Sequence, residues 1–436
     1  MKRLLVILVL ALLKKTSGAQ NSIQYISLDD AITASVSYND ATKLSELQVR
    51  LAEAKVRQTD AIFLPQAIFS YAASTTNNSL NAFAFKLQQQ SISATDFNPK
   101  SLNNPSATAD YSAKVELRQP LVNIDMLYQR KAAAIQVEVH QLISSRTKDY
   151  LRFETKKAYL QLQMGYDEYK VLNEALATSQ SVYKNSRDYY DQGLIQKSDL
   201  LNAELHVMNI QTLTKNIRSG IEEASDALSL LMGRPTGTTY TADSITLADT
   251  SITDNATIPG ERSDFRAMEK GMESYDMMIK SSKMSYLPTL NAFASWQSND
   301  KNIFAFNANS YFAGVQFSWK LFNGNRTKST ISQLGLEKEI IAKQLDQQKK
   351  EAHLQINHSR RELSDASFLM RQQQLAVFQA SEALRILRDR YEQGLVKTSD
   401  VLAAQTQLSE QKIGYVHAVF KYNLAAASLE FLLSTK

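Results

Sequence analysis

Three features of this 436-residue sequence point to an α+β membrane protein made of two like halves, each joining β-strands to a very long helical hairpin. The first is a repeated phrase. Tyr190-Asp191-Gln192-Gly193-Leu194-Ile195-Gln196-Lys197-Ser198-Asp199-Leu200-Leu201 returns 201 residues later as Tyr391-Glu392-Gln393-Gly394-Leu395-Val396-Lys397-Thr398-Ser399-Asp400-Val401-Leu402. Repeats at such a distance mean repeated supersecondary units. The second is a pair of stretches nearly free of helix breakers, Ile124 to Gln192 and Thr327 to Gln393, holding no proline and one glycine each, Gly165 and Gly335. The third is an alternation, over 111–121 and 311–321, of a mostly apolar face with a more polar one, the period of a strand with two different faces.

The chain opens on a basic start, Met1-Lys2-Arg3, an apolar run from Leu4 to Leu13, and small residues Ser17-Gly18-Ala19. That order reads as a signal peptide over 1–19, because ten apolar residues are too few for a spanning helix of about 20. Removing Lys2, Arg3, Lys14 and Lys15 leaves 45 basic residues against 44 acidic ones. Such a balance gives no electrostatic case for nucleic acid as a partner. There is no cysteine, which excludes disulfides, thiol catalysis and thiolate metal sites.

The first repeat is expected over 20–233, with strands at about 62–74 and 110–122 and a hairpin tip at about 190–199. A connector follows over 234–263, rich in Thr, Asp and Ser and lacking helical period. The second repeat spans 264–436, with strands at about 286–298 and 310–322 and a tip at about 391–400. Leu64-Pro65 and Leu287-Pro288 open the first strand of each pair, where proline costs no ladder hydrogen bond. On one face of 311–321 lie Tyr311, Ala313, Val315, Phe317, Trp319 and Leu321, and on the other Gly314, Gln316, Ser318 and Lys320. Lys114, Glu116 and Arg118 sit on the polar face of 111–121. These four charged residues are candidates for a water-filled barrel lumen, since membrane strands alternate lipid-facing and lumen-facing positions.

The helices show a coiled-coil period. Leu363, Met370, Val377, Leu384 and Tyr391 are seven apart, as are Val401, Leu408, Tyr415, Tyr422 and Leu429 beyond the tip. A 3.5-residue repeat keeps an apolar seam against a partner helix. Helices of roughly 67 residues would extend about 100 Å. Four strands cannot close a membrane barrel, and open edges in lipid leave backbone groups unsatisfied. The chain must therefore assemble: two copies supply eight strands and three supply twelve. A barrel joined to a long helical tube is a conduit.

The two tips, the paired Leu-Pro strand starts, Arg262-Ser263-Asp264-Phe265 and Leu28-Asp29-Asp30-Ala31-Ile32 together resemble the TolC-type outer-membrane efflux protein family over nearly the whole mature chain. The resemblance implies a homotrimer whose twelve-stranded β-barrel, four strands per chain, continues into an α-helical coiled-coil barrel in the periplasm. It implies an outer-membrane exit duct that passively conducts substrates. Its partners would be a periplasmic adaptor (a membrane fusion protein), an inner-membrane pump or exporter, and outer-membrane lipid. It places adaptor docking at Gly193, Leu194, Gly394 and Leu395, and a periplasmic gate at Tyr391 and Asp400, with Asp199 as the first-half counterpart. The second aspartate that some members carry falls at Ala403, and a locking arginine falls at Val396.

From the residues alone, Asp199 and Asp400 read as N-cap-like residues of the returning helices. Five methionines between Met268 and Met284 read as core filler rather than a soft-metal path, and the five histidines have no metal-ligand spacing. No cofactor is expected, and no nucleophile–base pairing or phosphate loop marks an enzyme. The competing class is a soluble periplasmic coiled-coil adaptor or scaffold, which has no use for amphipathic membrane strands.

Overall fold

The computed structural model describes residues 23–248 and 261–434. The expected signal peptide, 1–19, and the middle of the connector lie outside the described residues. In chain order the elements are β1 (Ile23–Tyr25), α1 (Leu28–Tyr38), α2 (Asp40–Gln58), β2 (Gln66–Thr76), α3 (Ser79–Gln88), α4 (Pro99–Asn103), β3 (Thr108–Val122) and α5 (Ile124–Asp191). Then follow α6 (Lys197–Leu231), β4 (Thr239–Thr241), α7 (Ser263–Met284), β5 (Thr289–Asp300), β6 (Ala308–Ser318), α8 (Arg326–Glu392) and α9 (Thr398–Leu433). The chain forms two compact units, one comprising Gln48–His140 and Ala267–Leu345, the other Gln141–Arg266, the segment up to Leu47 and the segment from Asp346 onward.

The second of these units is mostly helical, with the short strands β1 and β4. Helices α5 and α8 run 68 and 67 residues without a break, as the absence of proline allows. The seven-residue seam is buried at Leu384, Tyr391, Val401, Leu408 and Leu429 and partly buried at Leu363 and Val377. One core gathers Ala31 and Ala34 of α1, Tyr159 and Leu162 of α5, Leu228 of α6 and Tyr240 of β4. Strand β4 pairs in parallel with β1, and the buried Tyr159 hydroxyl donates to the Ile26 carbonyl at 3.2 Å. These three-residue strands are too short to show alternation in the sequence.

The two returning helices end differently. At the end of α6, Gly233 has φ +67° and any side chain there would meet the Tyr38 carbonyl oxygen at 2.4 Å, so only glycine fits. Asn39 donates from Nδ2 to the Leu231 carbonyl at 2.8 Å. At the end of α9 two arginines replace the amide. Arg146 lies 3.9 Å above the Phe431 ring and donates to the Phe431 carbonyl, while the buried Arg262 donates to the Leu432 carbonyl at 3.4 Å. Cations there satisfy orphan carbonyls and the negative end of the helix. Burial pushes the Asp264 carboxyl up, but the bond and charge of Arg262, at 2.6 Å, outweigh it and hold it below its ordinary value. The Arg262-Ser263-Asp264-Phe265 motif is thus a clamp on the last turn of the chain's last helix.

The other unit holds one antiparallel sheet in the order β2-β3-β5-β6. Strands far apart in sequence meet at its centre, with Val115 opposite Trp296 and Arg118 opposite Phe293. The register sorts most side chains by polarity, with Ile68, Phe293 and Phe312 as apolar exceptions on the polar face. Phe69, Tyr71, Val115, Leu117, Trp296, Tyr311, Val315 and Phe317 share one face, and Ser70, Ser112, Lys114, Glu116, Arg118, Ser295, Gln297 and Gln316 share the other. On the apolar face Tyr311 is 87% exposed and Phe69 67%. Strands β2 and β6 are the two open edges.

The structure corrects one charged candidate. Lys320 lies beyond β6, which ends at Ser318 opposite Thr289. Pro288 has no N–H to carry the ladder further, so Trp319 turns instead and donates from its indole to the Tyr286 carbonyl at 2.9 Å. The segment between β2 and β3 also carries more structure than a plain loop. Asn78 and Asn98 cap α3 and α4, and Gln89 fastens the segment to the sheet through the buried Asp110 carboxylate at 2.9 Å, to which Asn299 also donates at 2.8 Å.

Candidate functional site

The hairpin tips are built from two stop-and-restart motifs with the same backbone. Gly193 and Gly394 each adopt φ +74°, a left-handed conformation that glycine takes without Cβ strain. The N–H of Gly193 bonds the Tyr190 carbonyl at 2.8 Å and that of Leu194 the Tyr189 carbonyl at 2.9 Å. Gly394 and Leu395 repeat the pattern onto Tyr391 and Arg390, both at 2.9 Å. This is a Schellman ending, and it leaves Leu194 and Leu395 66% and 65% exposed.

Each chain turn then restarts a helix with an aspartate. The N-cap residues are Gln196 and Lys397, so Asp199 and Asp400 stand at the third helical position rather than at the cap itself. The returning helices begin three residues earlier than N-cap aspartates would place them, and the carboxylates reach back. Asp199 accepts the Gln196 N–H at 3.3 Å and Asp400 the Lys397 N–H at 3.1 Å. This is the carboxylate half of a capping box. It also puts negative charge in the first turn, where the helix dipole favours it.

Tyr391 is not free at the tip. It is 8% exposed, its hydroxyl pairs with the buried Thr398 hydroxyl at 3.3 Å, and its ring meets Tyr189 edge-on at 6.0 Å. Around it Val182 and Ala203 of the first hairpin pack with Leu384, Val401 and Leu402 of the second. Val396 packs partly buried against the same core, and Ala403 faces outward. The tips together line a cleft of about 980 Å³ that brings Leu194, Asp199, Tyr391, Leu395 and Asp400 together. No side-chain bond joins Tyr391 to Asp400 among the described residues.

Three bridges between α5 and α9 escaped sequence reasoning. Lys156 pairs with Glu430 at 2.7 Å, Glu168 with His417, and Glu174 with Lys412 at 2.8 Å. They follow one antiparallel register, which only the pairing of the two helices reveals. In the sheet unit, Glu116 is held between Arg118 at 2.6 Å and Lys114 at 3.1 Å.

Comparison with known proteins agrees with this geometry. Among solved structures, the chain superposes on the outer membrane protein VceC of Vibrio cholerae with a TM-score of 0.75 at 16% identity, covering 93% of this chain and 95% of that one. The CmeC outer membrane channel of Campylobacter jejuni gives 0.78 at 12% identity, covering 96% and 90%. The open state of the MtrE outer membrane channel of Neisseria gonorrhoeae gives 0.71 at 14% identity, covering 95% and 94%. No curated protein sequence matches the chain. The model of the outer membrane efflux protein family matches residues 41–234 and 258–435. With the doubled tip, the two-faced sheet and the breaker-free helices, the chain belongs to the outer membrane efflux protein family.

Proposed function

We propose that this chain is one subunit of a passive exit duct in the outer membrane, assembled as a homotrimer. Three four-stranded sheets close one twelve-stranded barrel, and the helical hairpins gather into a coiled-coil barrel in the periplasm. The observation that carries the reading is the sheet's division into an apolar face, with Phe69, Tyr311 and Phe317 largely exposed, and a polar face around Lys114, Glu116 and Arg118. Exposed apolar surface of that extent is unfavourable in water and suits lipid. A soluble adaptor leaves it unexplained.

The two repeats, 20–233 and 264–436, each contribute two strands and one hairpin, with 234–263 between them. Substrates arrive from an inner-membrane pump or exporter through a periplasmic adaptor, which docks at Gly193, Leu194, Gly394 and Leu395. The exposed leucines beside each glycine support that assignment. Asp400 and Tyr391, with Asp199, form the gate region, and Lys114, Glu116 and Arg118 line the lumen. Without an arginine at Val396 the closed state draws on the apolar packing around Tyr391. Membrane fractionation followed by planar-bilayer recording tests the reading. The mature protein is expected in the outer-membrane fraction as a channel-forming trimer; recovery entirely in the soluble periplasm would sink it.

A further inference from the structure

On the polar face of the sheet two large aromatic rings stand where the pattern calls for small polar residues. Phe293 and Phe312 pack at 5.3 Å between centroids and an interplanar angle of 42°, while their neighbours on that face are Ser295, Gln297, Ser310 and Gln316. Gly314 makes room for Phe293. A Cβ there would lie 3.0 Å from the Phe293 ring, so the ring lies down onto the strand. A mid-strand glycine commonly marks a place where another group must approach closely. Packing over Gly314 accounts for Phe293, but Phe312 remains 69% exposed beside it.

Charge sits next to the rings. Arg118 is directly opposite Phe293 in the register. Its guanidinium binds Glu116 at 2.6 Å, Lys114 binds the same carboxylate at 3.1 Å, and the Arg118 side chain stays 64% exposed. Two cations against one carboxylate leave the group with a net positive charge. Rings and cations border one cleft of about 700 Å³, a volume in the ordinary range for small-molecule sites.

We infer that this cleft is a subsite for aromatic carboxylates, with the ligand ring on the Phe293–Phe312 pair and its carboxylate on Arg118. The inference rests on the duct reading, in which this face is the lumen, and it names a class of cargo. Aromatic pairs prefer offset or tilted contact, which leaves the outer ring face open to a third ring. An exposed guanidinium beside it binds a carboxylate through paired N–H donors. An aliphatic acid uses only the second contact and an aromatic alcohol only the first.

Equilibrium dialysis of the full chain in detergent, with benzoate, acetate and benzyl alcohol as probes, tests this. Benzoate is expected to bind tightest. Phe312→Ser should weaken benzoate by roughly 3- to 10-fold, the worth of one aromatic contact, and leave acetate unchanged. Arg118→Gln, at a side chain 64% exposed, should abolish the preference for benzoate over benzyl alcohol, so the test stands even if Phe312→Ser fails to fold. Benzoate binding no tighter than acetate, or indifferent to both substitutions, overturns the subsite while a protein in the outer-membrane fraction keeps the duct. A protein found only in the soluble fraction removes the duct and the subsite with it.

Discussion

Tyr190 and Tyr391 occupy equivalent places in the two tip sequences and end in opposite surroundings. Tyr190 is 37% exposed and Tyr391 8%. The contrast continues beyond the turn, where Leu201 is 51% exposed and Leu402 6%. Yet the backbones agree, with both glycines at φ +74° and both aspartates bound back to the N-cap amide. Local sequence therefore dictates the turn, and tertiary packing decides which tip becomes core. The first tip offers its side chains outward, whereas the second is wedged against Val182 and Ala203 of its neighbour.

The sharpest way to break this contrast is truncation of the two matched leucines. Leu402→Ala removes a buried side chain and should cost about 2–4 kcal/mol, while Leu201→Ala should stay within about 0.5 kcal/mol, as exposed sites do. Urea unfolding of the two variants side by side checks it, and equal losses would mean that the tips are packed alike. The glycines probe the shared part. Gly193→Ala and Gly394→Ala should each cost about 1 kcal/mol, since both demand positive φ and neither Cβ meets a neighbour within 4 Å. A large inequality between them would show that the turn itself differs.

A smaller effect concerns how the second hairpin is tied to the first. The hydrogen bond to Glu168 raises the His417 pKa above its ordinary 6.5, against burial and the charge of Lys421. With the folded value raised, the contribution is complete below about pH 6.5 and is lost as pH rises through the folded value. Solvent screening of the half-exposed imidazole keeps it under about 1 kcal/mol. Wild type should therefore lose more stability than His417→Gln between about pH 6 and 8, and parallel urea midpoints across that range would remove the bridge from the account. Smallest in stability is Asp→Asn at the two restarts, expected at a few tenths of a kcal/mol for either. Single-channel recordings separate them: Asp400→Asn should reduce cation preference and Asp199→Asn should do so less. An unchanged Asp400→Asn channel would make that carboxylate a helix restart and nothing more.

Much of this was legible beforehand because it is local. Glycine followed by leucine and then aspartate spells a stop and a restart, and alternation over 111–121 spells a two-faced strand. What stayed hidden depends on partners. Nothing in Tyr190 or Tyr391 says which one meets Thr398 and Tyr189, and nothing in Glu168 points to a histidine 249 residues away. Lys320 misled because alternation runs on past Ser318, while the ladder stops where its partner strand reaches Pro288. Asp199 and Asp400 misled by three residues for a related reason. A carboxylate can serve the amide behind it as well as those ahead.

The open edges of the sheet bear on how such a chain comes into being. With the outer edges of β2 and β6 unpaired among the described residues and one face apolar, the sheet is a poor solute in water and an incomplete one in lipid. Under the trimeric reading, a newly exported chain has no comfortable resting place until it meets its own kind. Its maturation then has a reaction order above one in chain concentration, and its measured robustness belongs to the assembly rather than to any single polypeptide. Scarcity would act on such a protein as a denaturant does.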